Sequence, residues 1–434
     1  MVSDVSHPQT GYGSHADFKQ EERPLSRSSG TSNPSTTDVV PDSGLQAWLV
    51  AAGGSAIFFC CLGFANSFGT FGEYYLSHQL QGESPDKIAW IGSLSAFLQF
   101  ASGMVGGPLF DRFGAWVIRP SAVIYVFAMM MLSLCDKYWQ FMIVQGTLMG
   151  IVMGLLQFPA FAAVSQYFER NRAAALGVVV SGSSIGGIVI PIALAKMLNS
   201  SLSFGWSVRV IGFLIIPFMA FAFVTVKARL PASKTTFWLF SAYNNMKFNL
   251  LMVSLFFIFI GMFTPLFFIP TYAVSQGMSP TLAGYLLAIL NAMSTFGRII
   301  PGILADKYGR LNIFSIGAIV TGVVIFCLSS AHSNAALIVY AAVFGFVSGT
   351  IISGASAAFS LCPDNLQDIG TYMGMGMSIS ALGGLIGPPM NGALVKEYGS
   401  FFEVSILSGT MCLAGGFIAL AAKAATPSGV FGKI

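Results

Sequence analysis

Beyond its first 43 residues the chain alternates long apolar blocks with short polar interruptions. A helix that crosses a bilayer needs roughly 20 predominantly apolar residues. That ruler predicts twelve spans, near 46–72, 88–108, 115–135, 140–162, 173–196, 206–226, 250–273, 280–301, 311–330, 335–358, 370–394 and 401–422. The interruptions are short except at 227–249, which separates two groups of six. Residues 1–43 are rich in Ser, Thr, Pro, Gly and charge and lack apolar periodicity, which predicts disorder. The expected organisation is a disordered tail over 1–43, a six-helix bundle over 44–226, a central loop over 227–249, a second six-helix bundle over 250–422 and a short tail over 423–434. The predicted fold class is an all-α membrane protein of twelve transmembrane helices.

Composition agrees with that pattern. Of 434 residues, 55% are hydrophobic and 9% charged, whereas a soluble domain is about a quarter charged. Membrane lipid is therefore the main solvent. The net charge of +4 is spread out, with no basic patch interleaved with aromatics, which argues against nucleic acid. Six scattered cysteines have neither paired nor metal-ligand spacing and read as packing residues, so no metal and no cofactor is expected. No HExxH, membrane Ser/His pair or nucleotide-binding loop is present, which argues against an enzyme or an ATP-driven pump. The tail carries no signal-peptide pattern, so the first span is expected to direct insertion. Fifteen of the 21 Lys and Arg fall on one side of the predicted topology, five fall on the other, and Arg298 lies within a helix. Basic loops stay in the cytoplasm, which places both termini there, with the plasma membrane the expected location. Asn199-Ser-Ser is a possible glycosylation acceptor in an outer loop.

The chain also repeats itself. Gly107-Pro-Leu-Phe-Asp111-Arg112-Phe-Gly114 follows the second predicted span, and Gly302-Ile-Leu-Ala-Asp306-Lys-Tyr-Gly309-Arg310 follows the eighth, 195 residues later. Gly150 and Gly154 match Gly345 and Gly349 at the same offset, and Gly186-Gly187-xxx-Pro191 matches Gly383-Gly384-xxx-Pro388 at 197. Three motif pairs at nearly one offset make two homologous halves. The Gly-x-x-x-Asp-Arg/Lys-x-Gly segments resemble those of the major facilitator superfamily, whose halves rock against each other around a central site. The resemblance implies that Asp111, Arg112, Asp306 and Arg310 form gating charge contacts, with helix capping as the alternative. Pro41–Trp48 and Tyr167–Gly177 further resemble two stretches of the monocarboxylate porter family, in particular its fungal-type members. In that family a lysine in helix 1 and an aspartate–arginine pair in helix 8 accompany proton-coupled transport. Here those positions hold Asn66, Ser294 and Arg298, so only the arginine is retained.

Arg298 is the one ionisable side chain well inside a predicted helix, and a charge in a bilayer usually faces a cavity. It can meet a carboxylate through a bidentate contact; snorkelling to the interface is the alternative. Asn291, Ser294 and Arg298 share one helical spacing, as do Asn66, Thr70 and Glu73, which suggests two polar stripes lining a wet centre. Gln145, Gln157, Ser181 and Ser184 fit packing as well as cavity roles. Acidic residues are expected only in tails, loops and helix ends, with Glu73 the one candidate for proton coupling, so exchange or uniport is preferred over proton symport. The leading expectation is a secondary transporter of a monocarboxylate or larger organic anion, with membrane lipid and the small-molecule substrate as expected partners and protein partners left open. The alternatives are carriage of a neutral metabolite, vitamin or fungal secondary product and, more remotely, a transporter-like nutrient sensor.

Overall fold

The computed structural model describes residues 44–83, 85–231 and 239–425; the expected disorder of residues 1–43 lies outside them. Among the described residues every regular element is helical. In chain order these are α1 (Leu45–Ala65, resumed as Phe68–Tyr74), α2 (Pro85–Ala101, resumed as Gly103–Phe113), α3 (Ile118–Leu132), α4 (Tyr138–Phe141 continuing to Gly150–Tyr167), α5 (Arg172–Leu198) and α6 (Phe204–Thr225). The second half holds α7 (Met246–Ser275), α8 (Pro280–Tyr308), α9 (Arg310–Phe326), α10 (Asn334–Phe359), α11 (Ile369–Tyr398) and α12 (Phe402–Ala424). Among the described residues ten runs are long and apolar enough to cross a bilayer, and the run from Trp90–Trp116 into Ile118–Leu132 bends by 103°. Taken as one span this bent run makes eleven, and its arms α2 and α3 stand at the second and third places of the expected twelve.

Departures from the sequence reading have local causes. Helix α2 runs through Asp111 to Phe113 and α8 runs through Asp306 to Tyr308, so both aspartates sit in last helical turns and not in loops. Each helix stops one residue later at a glycine of positive φ, Gly114 (60°) and Gly309 (104°), a backbone shape that other residues rarely adopt. Helix α3 has only 15 residues, because the tight turn at Gly114–Trp116 takes the start of the expected span. Helix α1 breaks at Asn66-Ser67, where the Ser67 hydroxyl donates back to the Gly63 carbonyl at 3.1 Å. Helix α4 carries a π-helical stretch over Met142–Met149, with Thr147 Oγ1 donating to the Met142 carbonyl at 3.1 Å.

The internal repeat is also a repeat of contacts. Helix α1 packs on α5 as α7 packs on α11, and α2 packs on α4 as α8 packs on α10. A side chain at Gly154 would meet the Gln99 carbonyl, and one at Gly349 would meet the Ser294 carbonyl, both partners being 195 residues apart. Lipid offers no hydrophobic drive between helices, so such small residues, which let backbones approach, and interhelical hydrogen bonds do the packing. The fully buried triangle of Asn391, Thr264 and Ser408 ties α11, α7 and α12 together: Asn391 Nδ2 lies 2.6 Å from Thr264 Oγ1, which lies 2.7 Å from Ser408 Oγ. Asn391→Leu removes the amide's bonds to both hydroxyls, leaving them only each other, and is expected to cost about 1–2 kcal/mol. A lower melting midpoint in detergent, with unchanged folding yield, measures it.

Candidate functional site

The halves meet through α2 with α11 and α5 with α8. At the end of the bundle carrying Arg170, Arg172, Lys307 and Arg310, here called the basic end, two aspartates reach across. Asp111 is buried and accepts from the Gly370 amide at 3.2 Å, the Thr371 amide at 2.6 Å and the Thr371 hydroxyl at 2.8 Å. Asp306 accepts from the Ala173 and Ala174 amides at 3.1 and 2.8 Å. Those amides belong to the first turns of α11 and α5, whose N–H groups have no partner inside the helix and carry the positive end of its dipole. Each half thus caps a helix of the other.

The two caps differ in their support. Arg310 Nε lies 3.2 Å from Asp306 Oδ1, and its guanidinium also donates to the Glu169 carbonyl, which lies in the other half. The corresponding position in the first half is Ala115, and the Thr371 hydroxyl, which stands where the repeat has Ala174, supplies the extra donor instead. Arg112 takes no part in this contact: it is exposed and lies over the Phe113 ring at 5.7 Å. The approach depends on glycines. A Cβ at Gly107 would strike the Gly370 carbonyl, and one at Gly374 would strike the Gly103 carbonyl. Arg172 adds a bond to the Ser360 carbonyl at 3.3 Å, and the Ser378 hydroxyl reaches the Phe100 carbonyl at 2.8 Å. These contacts zip the halves together from the basic end upward.

Above the zip lies a polar point where three helices meet. Gly187 on α5 faces both the Asn66 amide of α1 and the Asn291 amide of α8, so the three converge within a few ångströms. Asn291 and Gly187 each lie fifteen residues, about 22 Å, along their helices from Asp306 and Arg172. Asn66 is exposed there and Asn291 buried, the latter donating to the Leu287 carbonyl at 3.0 Å. Two turns closer to the basic end, Arg298 is buried; it donates to the Val180 carbonyl at 2.7 Å and to the Ser183 hydroxyl. Its Nε has no partner, and among the described residues no carboxylate lies in ion-pair range.

Asn66, Asn291 and Arg298 therefore come together along the α5 face, whereas Ser294 does not. Its hydroxyl packs against Gly349 of α10, within its own half, because position 294 lies about 60° around the helix from 291. Thr70 is half-buried beyond the α1 break, and the side chain of Glu73 lies outside the described residues. Gln145 accepts from the Tyr75 hydroxyl at 2.7 Å in a buried pair, and Ser181 donates to its own helix. Asn199 is exposed at the end of α5 opposite the basic end. Sequence reasoning missed Ser183, Thr371 and Ser378, and it named Gly187 as part of the repeat without placing it at this point. The Gly186-Gly187 pair was the one available signal. Phe100 meets Phe259 across the halves at 6.0 Å, and Phe259, Phe263 and Phe267 continue as a row of rings along α7.

The sequence profile of the Major Facilitator Superfamily matches residues 53–388 and, in a second alignment, 251–431. The chain is 47% identical over 389 residues to the aspyridones efflux protein apdF of Emericella nidulans, covering 90% of this chain and 80% of that one. It is 35% identical over 416 residues to the agnestins efflux protein AgnL12 of Paecilomyces divaricatus, covering 94% and 93%. Among solved structures, human organic anion transporter MFSD10 superposes with a TM-score of 0.69 at 14% identity, over 87% of this chain and all of that one. The E. coli fucose:proton symporter FucP gives 0.69 at 15% identity, over 86% and 98%. At these identities the structures speak for the fold alone.

Proposed function

The chain belongs to the major facilitator superfamily, and from that premise we propose that it is an exporter of a fungal secondary product, an aromatic or otherwise apolar organic anion, acting by alternating access from a cytoplasmic basic end. The observation that carries the reading is the stack of Arg298 below Asn66 and Asn291 at the seam between the halves. A buried guanidinium with no counter-ion among the described residues and two neutral amides suit a solute with one anionic group, and the Phe100–Phe259 contact across the halves gives the seam apolar surface for a large apolar body. The efflux relatives favour export of a fungal secondary product, the alternative in the sequence reading, over the monocarboxylate or larger organic anion that led it.

Arg298 would couple binding to opening. With the basic end closed, its guanidinium is occupied by Val180 and Ser183 of α5. Parting α5 from α8 frees those donors for an anion, and release of the anion returns them to α5, which favours closure. The energy source follows from the same charge. A monoanion leaving a cell whose interior is negative gains about 2.3 kcal/mol per 100 mV. Uniport alone then sustains an outward concentration ratio of roughly fifty, and no titratable group on the pathway is required.

Everted membrane vesicles separate this reading from its rivals. Aromatic weak acids are expected to accumulate inside them, faster when an ionophore makes the vesicle lumen positive, while lactate and pyruvate are not carried. Carriage of the short acids without the aromatic ones would overturn the proposal, and so would indifference to the imposed potential. Asn291→Leu is expected to lower the apparent affinity for the aromatic acid about tenfold by removing the buried amide.

A further inference from the structure

A hollow of ≈320 Å³ opens at the basic end between the α2–α3 turn and the segment after α6, lined by residues of the first half and of the segment that follows it. Three cations line it, Arg112, Arg119 and Lys227, and among the described residues no acidic side chain does. The Arg119 guanidinium lies within cation–π range of Trp116 (5.1 Å) and of Phe223 on α6 (5.7 Å), and its buried Nε has no partner. Among the described residues no acidic side chain in the hollow offsets this positive charge, which makes it a field that attracts an anion.

The rim identifies the environment. Trp116 is 70% exposed and Phe113 52% exposed, on a turn joining two membrane helices. Aromatic rings in that position sit at headgroup depth, and juxtamembrane cations there meet the anionic lipids of the cytoplasmic leaflet. The hollow has on the order of ten times the volume a water molecule takes up in the liquid, room for a phosphodiester and its glycerol, with the acyl chains left outside. We infer that this pocket holds the phosphate-bearing headgroup of an anionic phospholipid, with Arg119 and Lys227 on the phosphate and Trp116 at the glycerol level. Arg112 follows the gating Asp111 directly, so the lipid binds at the end of the helix that closes the basic end.

Native mass spectrometry of the full chain from micelles holding equal amounts of phosphatidylcholine and phosphatidic acid tests this. Wild type is expected to retain phosphatidic acid at least about tenfold over phosphatidylcholine, since each cation near an anionic surface contributes appreciably. The double variant Arg119→Gln/Lys227→Gln loses the preference. Arg119→Lys, which keeps the charge and so guards against a folding artefact, retains most of it, as does Arg209→Gln at the opposite end. Equal retention of both lipids, or an unchanged preference in the double variant, sinks the inference. Displacement of the lipid by millimolar inorganic phosphate does too, since it identifies a soluble anion as the occupant.

Discussion

Replacing Asp111 by Asn is expected to cut turnover at least about tenfold while the protein still folds and inserts. The carboxylate accepts three bonds at the start of α11, and an amide cannot accept all three, because its NH2 faces a backbone N–H. Losing a charge-assisted contact worth about 2 kcal/mol shifts the equilibrium between closed and open basic ends about thirtyfold. A carrier held open on one side cannot complete its cycle. Helix α11 keeps its own packing on α7 and the Asn391 triangle, so the half itself survives. The position of the gate is readable directly. Ser378 is buried against the Phe100 carbonyl seven residues above Thr371. The thiol introduced by Ser378→Cys, with the exposed Cys327 replaced by Ser, should react slowly with maleimide from the basic side. Adding Asp111→Asn should speed that reaction about tenfold. Gly374→Val reaches the same end by sterics alone, because its side chain would occupy the space of the Gly103 carbonyl, which is backbone and cannot yield. Normal turnover in both variants, with the introduced thiol still sealed, would show that the aspartate caps a helix without gating.

The duplicated Gly-x-x-x-Asp segments could be read in advance because both the side chain and its spacing repeat. Their partners could not. Asp111 and Asp306 bind backbone amides of residues 370, 371, 173 and 174, and an amide leaves no mark on a sequence. Arg112 shows the reverse error: charge beside a motif suggested a gating pair, yet its side chain leaves the seam and lines the pocket over Phe113. Helical spacing correctly placed Asn291 and Arg298 on one face, since seven residues return within about 20° of the start, but three residues leave Ser294 about 60° away, enough to turn it onto Gly349. Asn66 was found by its position in α1, but its closeness to Asn291 arises from Gly187, where a missing side chain lets three helices approach.

Arg298→Gln should abolish export of the aromatic anion, by about 30- to 100-fold in transport efficiency, and leave a neutral ester of the same compound within about threefold of wild type. The size follows from losing a charge-assisted, two-pronged contact in a place shielded from water. Arg298→Lys keeps the charge but not the fork, so an intermediate loss is expected. A folding defect can be told apart, because the wild-type guanidinium is buried with an unpartnered Nε and no counter-ion among the described residues. Removing such a charge relieves a desolvation cost, so the glutamine variant should melt at the wild-type temperature or above it. Dependence on membrane potential supplies the last discriminator. With an anion bound to Arg298 the site would be locally neutral, yet the net movement per cycle would be one negative charge, so wild-type export is expected to accelerate as the interior becomes more negative. In the glutamine variant the residual flux of the neutral ester should be flat with potential. Equal loss of acid and ester, with a lowered melting temperature, would instead make Arg298 a structural tie between α8 and α5 and would remove charge recognition from the mechanism.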